Sequence, residues 1–380
     1  MIYFDNAATT KDKPHEVIEV VSYALTHFGN ANRGAHEDSL AASFDIFKTR
    51  KKLTELFGIA SPSHIIFSFN ATDALNTVLT GLIKEGSRVI TTVTEHNSVL
   101  RPLYRLKRER GVALTFIGID EGARLDMASL ENALQEGADY LVISHASNVS
   151  GNVVDIDRVA ELCKHFCCLL IVDAAQSTGS IKINMQQSGI DILCFTGHKG
   201  LFGPQGTGGI ALNGDFDIEP FRVGGSGVQS YLHEQPLELP THLEAGTLNG
   251  HGIAGLSAAL DFISRIGIDA IHDKEMELAN HFLEGIRDIE GIKLYGDFAS
   301  RHVGIVSLNL GCTDSAIVSD VLSQSYKIAT RPGAHCAPLM HKALHTDSQG
   351  VVRFSFSYFN TVEEVDLGIR ALKEISKHLS

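Results

Sequence analysis

The sequence predicts an α/β protein: a mainly parallel sheet with helices on both faces, followed by a smaller α+β domain. Short apolar runs alternate with helix-length amphipathic segments at least four times between His64 and Leu212, as in repeated strand–helix units. The runs are apolar throughout, which is typical of parallel strands buried on both faces. Further along, the alternation gives way to a mixed pattern. We therefore expect a large domain over residues 15–250 and a small domain formed by residues 1–14 and 251–380.

Individual elements follow from hydrophobic periodicity and from breaker residues. In the large domain we predict helices at Pro14–Phe28, Ser39–Phe57, Ala74–Ile83, Met127–Leu134 and Asp155–Phe166, and strands at Ile65–Phe67, Arg88–Thr92, Val112–Ile119, Tyr140–His145, Leu169–Ala174, Ile192–Phe195 and Ile210–Leu212. After these come helices at Ile253–Ile266, Asp269–Ile286, Asp314–Ser323 and Thr361–Leu379, and strands at Gly304–Leu310, Tyr326–Ala329 and Val351–Phe356.

Composition excludes several classes of protein. The formal net charge of −13 argues against nucleic-acid binding. No apolar stretch reaches the roughly 20 residues that a membrane helix needs, and the N-terminus lacks the pattern of a signal peptide. Six cysteines without paired spacing favour a reducing compartment and no metal site, so we expect a cytoplasmic protein.

The stretch from Asp191 to Gly209 carries the main chemical signal. A buried strand ends at Phe195, and Thr196, His198 and Lys199 follow among six glycines. A lysine leaving a buried strand beside a hydroxyl, an imidazole and glycines suits a carbonyl cofactor held as a Schiff base, and pyridoxal 5′-phosphate is the cofactor of that kind. The alternative is an ordinary exposed lysine in a glycine-rich loop.

Other candidate residues also lie at or just past strand ends, where open α/β sheets bind their ligands: Thr72, His96, Asn148 and Asp173. Three of them have a simpler interpretation, since Thr72 or Asp173 could cap a helix and His96 could be structural. An aspartate closing an apolar strand needs a cationic partner, and a pyridinium nitrogen would be one. Their shared placement, together with Lys199, predicts one common site.

Two further signals come from the small domain and from an early loop. Cys336 lies among glycine, alanine and prolines beside His335, a setting that favours a reactive thiolate, whereas the other five cysteines are typical of packing. Arg353, inside an apolar strand, suits a substrate carboxylate or a structural ion pair. Arg33 and His36, in a polar loop, are candidates for the rim of a site or for plain surface.

Taken together, these residues resemble the cysteine desulfurase and selenocysteine lyase family, in the class V aminotransferase branch of the fold-type I pyridoxal phosphate enzymes. The resemblance covers nearly the whole chain, and its most specific motifs are Thr196–Lys199 with Gly203–Gly206, Asp173–Gln176 and Arg331–Cys336. It implies a seven-stranded sheet, bound pyridoxal 5′-phosphate and a homodimer. The short segment around Cys336 is similar to the branch that depends on a partner protein or an added reductant.

The resemblance also implies roles for individual residues. Lys199 is the expected Schiff-base lysine, Asp173 pairs the ring nitrogen and His96 stacks on the ring. Phosphate contacts are expected from Ala71, Thr72, Thr196 and His198, and across a dimer interface from Thr247. Contacts to the ring hydroxyl or to the substrate are expected from Gln176 and Asn148, and contacts to the substrate from Arg353 and Arg331, with Asn6 or Ala8 and His36 nearby. Cys336 is the expected sulfur acceptor, activated by His335 or by the substrate thiol.

The phosphate turn departs from the pattern of the family. Phe69–Asp73 replaces a glycine-containing turn, but Asn70 can adopt the left-handed conformation that the glycine would, so we expect the phosphate cup to be kept. The activity that the resemblance implies is conversion of L-cysteine into L-alanine with sulfur transfer to Cys336. The alternatives are a selenocysteine lyase or another class V enzyme, such as a β-lyase, an epimerase or an aminotransferase.

Overall fold

The computed structural model describes residues 1–31, 34 and 36–379 of the chain. Its strands are β1 Ile2–Tyr3, β2 Ile65–Ser68, β3 Arg88–Thr92, β4 Ala113–Ile117, β5 Tyr140–Ser144, β6 Leu169–Asp173, β7 Ile192–Thr196, β8 Gly208–Leu212, β9 Ile292–Tyr295, β10 Ile305–Leu310, β11 Ile328–Ala329 and β12 Val352–Ser355. Its α-helices are α1 His15–His27, α2 Glu37–Phe57, α3 Ala71–Leu82, α4 Asn97–Arg110, α5 Met127–Gln135, α6 Ile156–His165, α7 Met185–Ser188, α8 Gly250–Ile266, α9 Ile268–Ile286, α10 Ser315–Tyr326, α11 Pro338–Ala343 and α12 Val362–Leu379.

A seven-stranded sheet organises the larger part of the chain, in the order β2-β8-β7-β6-β5-β3-β4. Neighbouring strands are parallel except at β8, which is antiparallel to both β7 and β2. The chain passes from β7 to β8 through a short loop without a crossover helix, and such a connection joins antiparallel neighbours. The loop begins at the carboxyl end of β7 and carries Lys199.

Helices cover both faces of this sheet, as predicted. On β5 the side chains of Leu141 and Ile143 join one hydrophobic core, whereas Val142 joins the other. The first core includes residues of α2, α6 and α8, and the second includes residues of α3 and α4. The strands are therefore apolar throughout because both of their faces are buried.

A second unit contains the antiparallel sheet β9-β10-β12 and the parallel pair β1-β11. Its own core includes Phe4 and residues of α9, α10 and α12. Helix α8 belongs instead to the core of the large unit, from Ile253 to Ile263. This helix lies after the predicted boundary at position 250 yet packs with the large unit, and the boundary itself stays a prediction.

Sequence patterns missed β9 and the short helices α7 and α11, which have too few residues for a periodic signal. Within the described residues, no helix combines the length and the apolar character needed to cross a bilayer. Cys163, Cys168 and Cys194 are buried as predicted. The prediction was wrong for Cys167 and Cys312, which are exposed.

Candidate active site

A cavity of about 260 Å³ lies where β3, β5, β6 and β7 end and where the small unit meets the sheet. Parallel strands bring their carboxyl ends to one edge, so residues that are distant in sequence become neighbours there. The cavity is lined by Ala7, Ala8, Asn70, Ala71, Thr72, His96, Ser98, Ser144, Ala146, Asn148, Asp173, Ala175, Gln176, Thr196, His198, Lys199, Arg331 and Arg353.

Hydrogen bonds from the N-terminal segment fix the backbone around Lys199. The Thr10 hydroxyl donates to the Lys199 carbonyl oxygen at 2.7 Å, and the Lys13 ammonium donates to the His198 carbonyl oxygen at 3.0 Å. Within the loop, the Gly203 amide donates to the Gly197 carbonyl oxygen at 2.7 Å. The lysine therefore leaves the sheet from a backbone that is held on both sides.

Lys199 is surrounded by charges of both signs. Burial lowers the pKa of its amine to about 8, Asp173 opposes this shift, and Arg353 and Arg331 reinforce it. A lysine with this pKa is largely neutral just above pH 8, whereas an exposed lysine is charged. The amine is thus suited to attack a carbonyl carbon and to move a proton.

Asp173 closes β6 inside the cavity. It pairs with Ser144 on β5 and with Cys194 on β7, and its Oδ1 accepts a hydrogen bond from the Ala175 amide at 3.0 Å. Burial raises the pKa of the Asp173 carboxyl, while that backbone hydrogen bond and the charge of Lys199 lower it. Asp173 is a buried acid whose charge depends on a cation in the cavity.

His96 is neutral, and its tautomer is fixed by its neighbours. Its Nδ1 accepts a hydrogen bond from the Ser98 amide at 3.1 Å at the start of α4, which leaves the proton on Nε2. Burial and the charge of Lys199 lower the pKa of His96 to about 4. His198 is similar: burial lowers its pKa to about 4, and its Nδ1 lies 3.0 Å from the Thr9 hydroxyl oxygen.

The start of α3 forms the wall that we predicted to bind phosphate. Asn70 does not use the left-handed conformation that its residue type allows, because its backbone is extended (φ −175°, ψ 178°). Its side-chain oxygen instead accepts a hydrogen bond from the Asp73 amide at 2.9 Å and caps the helix. Ala71 and Thr72 follow in the first turn, and the Thr72 hydroxyl oxygen lies 2.7 Å from that of Ser98.

Two arginines from the small unit line the opposite side. Arg353 is fully buried, and its Nη2 contacts an Asp5 carboxylate oxygen at 2.9 Å while Nη1 donates to the Asn148 carbonyl oxygen at 3.0 Å. Its Nε is buried without a partner among the described residues. The structural ion pair that we left open therefore exists, yet the guanidinium keeps a free donor. Across the described part of the chain, the Arg331 guanidinium has neither an ion pair nor a hydrogen bond.

Cys336 is exposed and does not line the cavity. Its carbonyl oxygen accepts a hydrogen bond from the Asn97 amide at 2.7 Å, so its backbone lies beside the turn that carries His96. His335 and Cys336 both have positive φ, 49° and 57°. Burial and the charge of Arg353 lower the pKa of His335 to about 2, so this histidine is neutral and supplies no positive charge beside Cys336.

The remaining predicted residues lie outside the cavity or hold its wall. Asn6 is buried, and its side chain donates to the Ser355 carbonyl oxygen at 2.9 Å, while Ala8 reaches the cavity. Gln176 lines the cavity and donates to the Ala7 carbonyl oxygen at 3.1 Å. His36 is exposed at the start of α2, and Thr247 is exposed and lines a different cavity. Arg33 lies outside the described residues.

Sequence reasoning missed three polar residues at this site: Asp5, Ser98 and Ser144. Ser144 is the last residue of β5, so the strand-end rule that identified Asp173 would have found it as well. Asp5 offered no local signal, because its importance comes from Arg353, which is 348 positions away in the sequence.

The fold and the site together define an α/β protein that presents a buried lysine and a buried aspartate to one ligand cavity at the carboxyl edge of its sheet. The sequence profile named Aminotransferase class-V matches residues 2–367. The chain belongs to the class V aminotransferase family.

Relatives in this family cover almost the whole chain. A protein of Methanothermobacter thermautotrophicus named "Probable cysteine desulfurase" is 35% identical, with 99% of this chain and 94% of that protein aligned. A protein of Pyrococcus abyssi with the same name is 35% identical over 100% of this chain and 95% of its own length.

Solved structures agree with the fold. The apo structure of cysteine desulfurase from Thermococcus onnurineus NA1 superposes with a TM-score of 0.93 at 33% identity, covering 99% of this chain and 95% of that one. The cysteine desulfurase CsdA from Escherichia coli shares the fold, with a TM-score of 0.88 at 24% identity over 99% and 94% of the two chains.

Proposed function

We propose that this protein is a pyridoxal 5′-phosphate-dependent cysteine desulfurase, which converts L-cysteine into L-alanine and passes the sulfur to Cys336 as a persulfide. The observation that carries the proposal is that Lys199 and Asp173 line the same cavity. The names of the relatives and of the structural neighbours support the reaction.

The residues in the cavity suit this cofactor. Lys199 offers a buried amine of low pKa for the aldehyde carbon, and Asp173 a buried carboxylate for the ring nitrogen. Amides at the start of α3 and the side chains of Thr72, Thr196 and His198 would hold the phosphate, since a helix start favours an anion. When bound, the cofactor supplies a ring that withdraws electrons from the substrate carbon.

The residues of this chain then perform the other tasks. The Arg353 Nε donor and the Arg331 guanidinium bind the substrate carboxylate, with Asn148 beside them. The neutral Lys199 amine takes the Cα proton and later returns a proton to carbon; a general acid–base group of this kind contributes about 10²–10⁴-fold. His96, which is neutral and flat and holds its proton on Nε2, would cover the ring of the bound cofactor.

Sulfur transfer requires the Cys336 thiolate to attack the sulfur of the bound cysteine. A sulfur–sulfur bond forms as the carbon–sulfur bond breaks, and the electron pair of the broken bond stays with the carbon skeleton that leaves as alanine. The backbone of Cys336 adjoins the His96 turn, while its side chain is exposed, so the thiol can also meet an acceptor protein. A thiol or protein acceptor then removes the sulfur.

A homodimer and a location in the cytoplasm complete the proposal. Thr247 is exposed on its own chain, which suits a residue that reaches the phosphate of a second copy. An apolar row on α2, at Leu40, Phe44 and Phe47, is 55–67% exposed and offers a surface for that copy. The net charge of −13 and the six cysteines without paired spacing support a cytoplasmic protein that does not bind nucleic acid.

Selenocysteine lyase activity is the second candidate, because Cys336 does not line the cavity. Selenium leaves carbon more readily than sulfur does, so L-selenocysteine would depend less on this thiol. A β-lyase or an aminotransferase would need Lys199 and Asp173 but would form no persulfide on Cys336.

The test uses purified protein with added pyridoxal phosphate. Borohydride reduction and peptide mass spectrometry should place the cofactor on Lys199 in the wild type and nowhere in Lys199→Ala. Cys336→Ser should keep the cofactor and lose alanine formation from L-cysteine, while Cys312→Ser, which alters another exposed cysteine, should match the wild type. Unchanged alanine formation in Cys336→Ser would show that this thiol is not the acceptor.

A further inference from the structure

Glu95 is a buried carboxyl that the proposed reaction does not use. It lies between the end of β3 and His96 and is fully shielded from solvent. Among the described residues, no lysine, arginine or histidine forms an ion pair with it. An ionised carboxylate with no cation beside it is costly in such a place, so the neutral acid is favoured.

Three hydrogen bonds surround this carboxyl group. Oε1 accepts from the Thr92 hydroxyl at 2.6 Å and from the Ser144 amide at 3.1 Å, and Oε2 lies 2.7 Å from the Ser144 hydroxyl oxygen. Both donors on Oε1 are satisfied whether or not Glu95 is ionised. The contact at Oε2 differs, because a proton on Oε2 makes Glu95 the donor and Ser144 the acceptor.

Ser144 connects Glu95 with the active site. It is the last residue of β5, it lines the cavity, and it pairs with Asp173 on the neighbouring parallel strand, so both side chains lie on the same face of the sheet. When Glu95 donates to Ser144, the Ser144 hydroxyl hydrogen no longer bonds to Oε2 and can donate to an acceptor inside the cavity. When Glu95 is ionised, that hydrogen is held by Oε2.

We propose that Glu95 is a positioning residue that carries a proton in the loaded enzyme. The negative charge on this side of the cavity then lies on Asp173, and the Ser144 hydroxyl is free to donate a hydrogen bond to the bound cofactor. The inference deepens the proposed function and depends on the cofactor binding in this cavity. Burial and, to a smaller extent, the charge of Asp173 raise the pKa of Glu95 to about 7, although the hydrogen bonds from Thr92 and Ser144 lower it. Asp173 is the charged group that faces Glu95 from β6.

Glu95→Gln is an isosteric test of the protonated state. The glutamine carbonyl oxygen can accept from Thr92 and from the Ser144 amide, while its amide nitrogen donates to the Ser144 hydroxyl. The readout is the dissociation constant of pyridoxal phosphate, followed by visible absorbance from about pH 6 to about pH 9, on either side of the Glu95 pKa of about 7. Near pH 6 the variant should bind within about twofold of the wild type, and near pH 9 about tenfold more tightly.

Ser144→Ala tests the hydroxyl separately. It should weaken binding about three- to tenfold near pH 6, where the hydroxyl serves the cofactor, and change little near pH 9, where the wild-type hydroxyl already donates to ionised Glu95. Glu131→Gln on the exposed face of α5 is the matched control and should follow the wild type throughout. Two outcomes would overturn this inference and leave the proposed function standing. One is that the dissociation constant varies with pH in the same way in the wild type and in Glu95→Gln; the other is that Ser144→Ala loses the same affinity at both pH values. A wild type that binds no pyridoxal phosphate overturns the proposed function as well.

Discussion

The side-chain amide of Asn148 donates a hydrogen bond to the carbonyl oxygen of His335 at 2.8 Å, and the Asn148 carbonyl oxygen accepts one from Arg353 at 3.0 Å. One residue thus ties the backbone before Cys336 to the arginine proposed to bind substrate. Both His335 and Cys336 have positive φ, a backbone conformation that residues other than glycine keep only when surrounding contacts stabilise it.

Asn148→Ala should therefore loosen the segment that carries Cys336. The lost hydrogen bond leaves the His335 carbonyl oxygen without this donor and should lower the free energy of unfolding by about 1–2 kcal/mol. Alkylation of Cys336 by iodoacetamide, followed by peptide mass spectrometry, should become faster. Asn132→Ala, on the exposed face of α5, should leave the alkylation rate unchanged; equal rates in all three proteins would show that Asn148 does not restrain the segment.

The pKa of Lys199 predicts how its reaction with a carbonyl compound depends on pH. Only the neutral amine attacks, so the rate of trapping pyridoxal phosphate with borohydride should rise with pH through a midpoint at about 8. Asp173→Asn removes a charge that raises this pKa, so the midpoint should move to lower pH. A wild-type midpoint close to the 10.5 of a solvated lysine would contradict the burial of this amine.

Glu275 predicts that stability falls as pH rises. It is buried, its Oε2 accepts a hydrogen bond from the Ser180 hydroxyl at 2.8 Å, and burial raises its pKa from 4.5 to about 7. The unfolded chain releases this proton near pH 4.5 and the folded chain only near 7, so the folded state binds more protons within this window. The stability that Glu275 contributes is therefore fully present below the unfolded-state pKa of 4.5 and is lost as pH rises through the folded-state pKa of about 7.

The loss should amount to roughly 3 kcal/mol for Glu275, because each unit of pKa difference corresponds to about 1.4 kcal/mol. Urea unfolding of the wild type and of Glu275→Gln across this window measures the effect, and the variant should lose less stability as pH rises. Glu55→Gln, an exposed change on α2, serves as the control and should have the slope of the wild type. A wild-type slope identical to that of Glu275→Gln would mean that Glu275 ionises normally.

Arg50 and Glu244 form a buried ion pair that supports the segment before Thr247. Arg50 Nη2 lies 2.6 Å from Glu244 Oε2, and Glu244 Oε1 also accepts from the Phe67 amide at 2.6 Å. Arg50→Ala would leave the carboxylate buried and unpaired, so the free energy of unfolding should fall by about 3–5 kcal/mol.

The matched comparison for Arg50→Ala is Lys51→Ala. Lys51 is the next residue along α2 and makes an exposed pair with Glu55 at 4.0 Å. Exposed pairs contribute about 0–1 kcal/mol, so this variant should unfold close to the wild type in the same urea titration. Similar losses in the two variants would show that burial of the Arg50 pair does not matter for stability.

Much of the site follows from the strand-end rule applied to the sequence. Thr72, His96, Asn148, Asp173 and Lys199 were selected because each lies at or after a strand end, and all five line one cavity. The rule works because the direction of parallel strands is fixed by the connections between them. It gave no information on Asn70, whose backbone is extended because its side chain caps α3, or on His335, whose burial keeps it neutral.

By itself, the sequence determined the α/β class, the strands of the main sheet and the lysine and aspartate on which the proposed chemistry depends. These features are local: a run of apolar residues, a strand end and a glycine-rich turn are legible in a few neighbouring positions. The tertiary structure alone decided that Asp5 pairs with Arg353, that α8 packs with the large unit and that Glu95 is buried behind Ser144. Those outcomes depend on contacts between distant segments, and burial then sets the charge that each group carries.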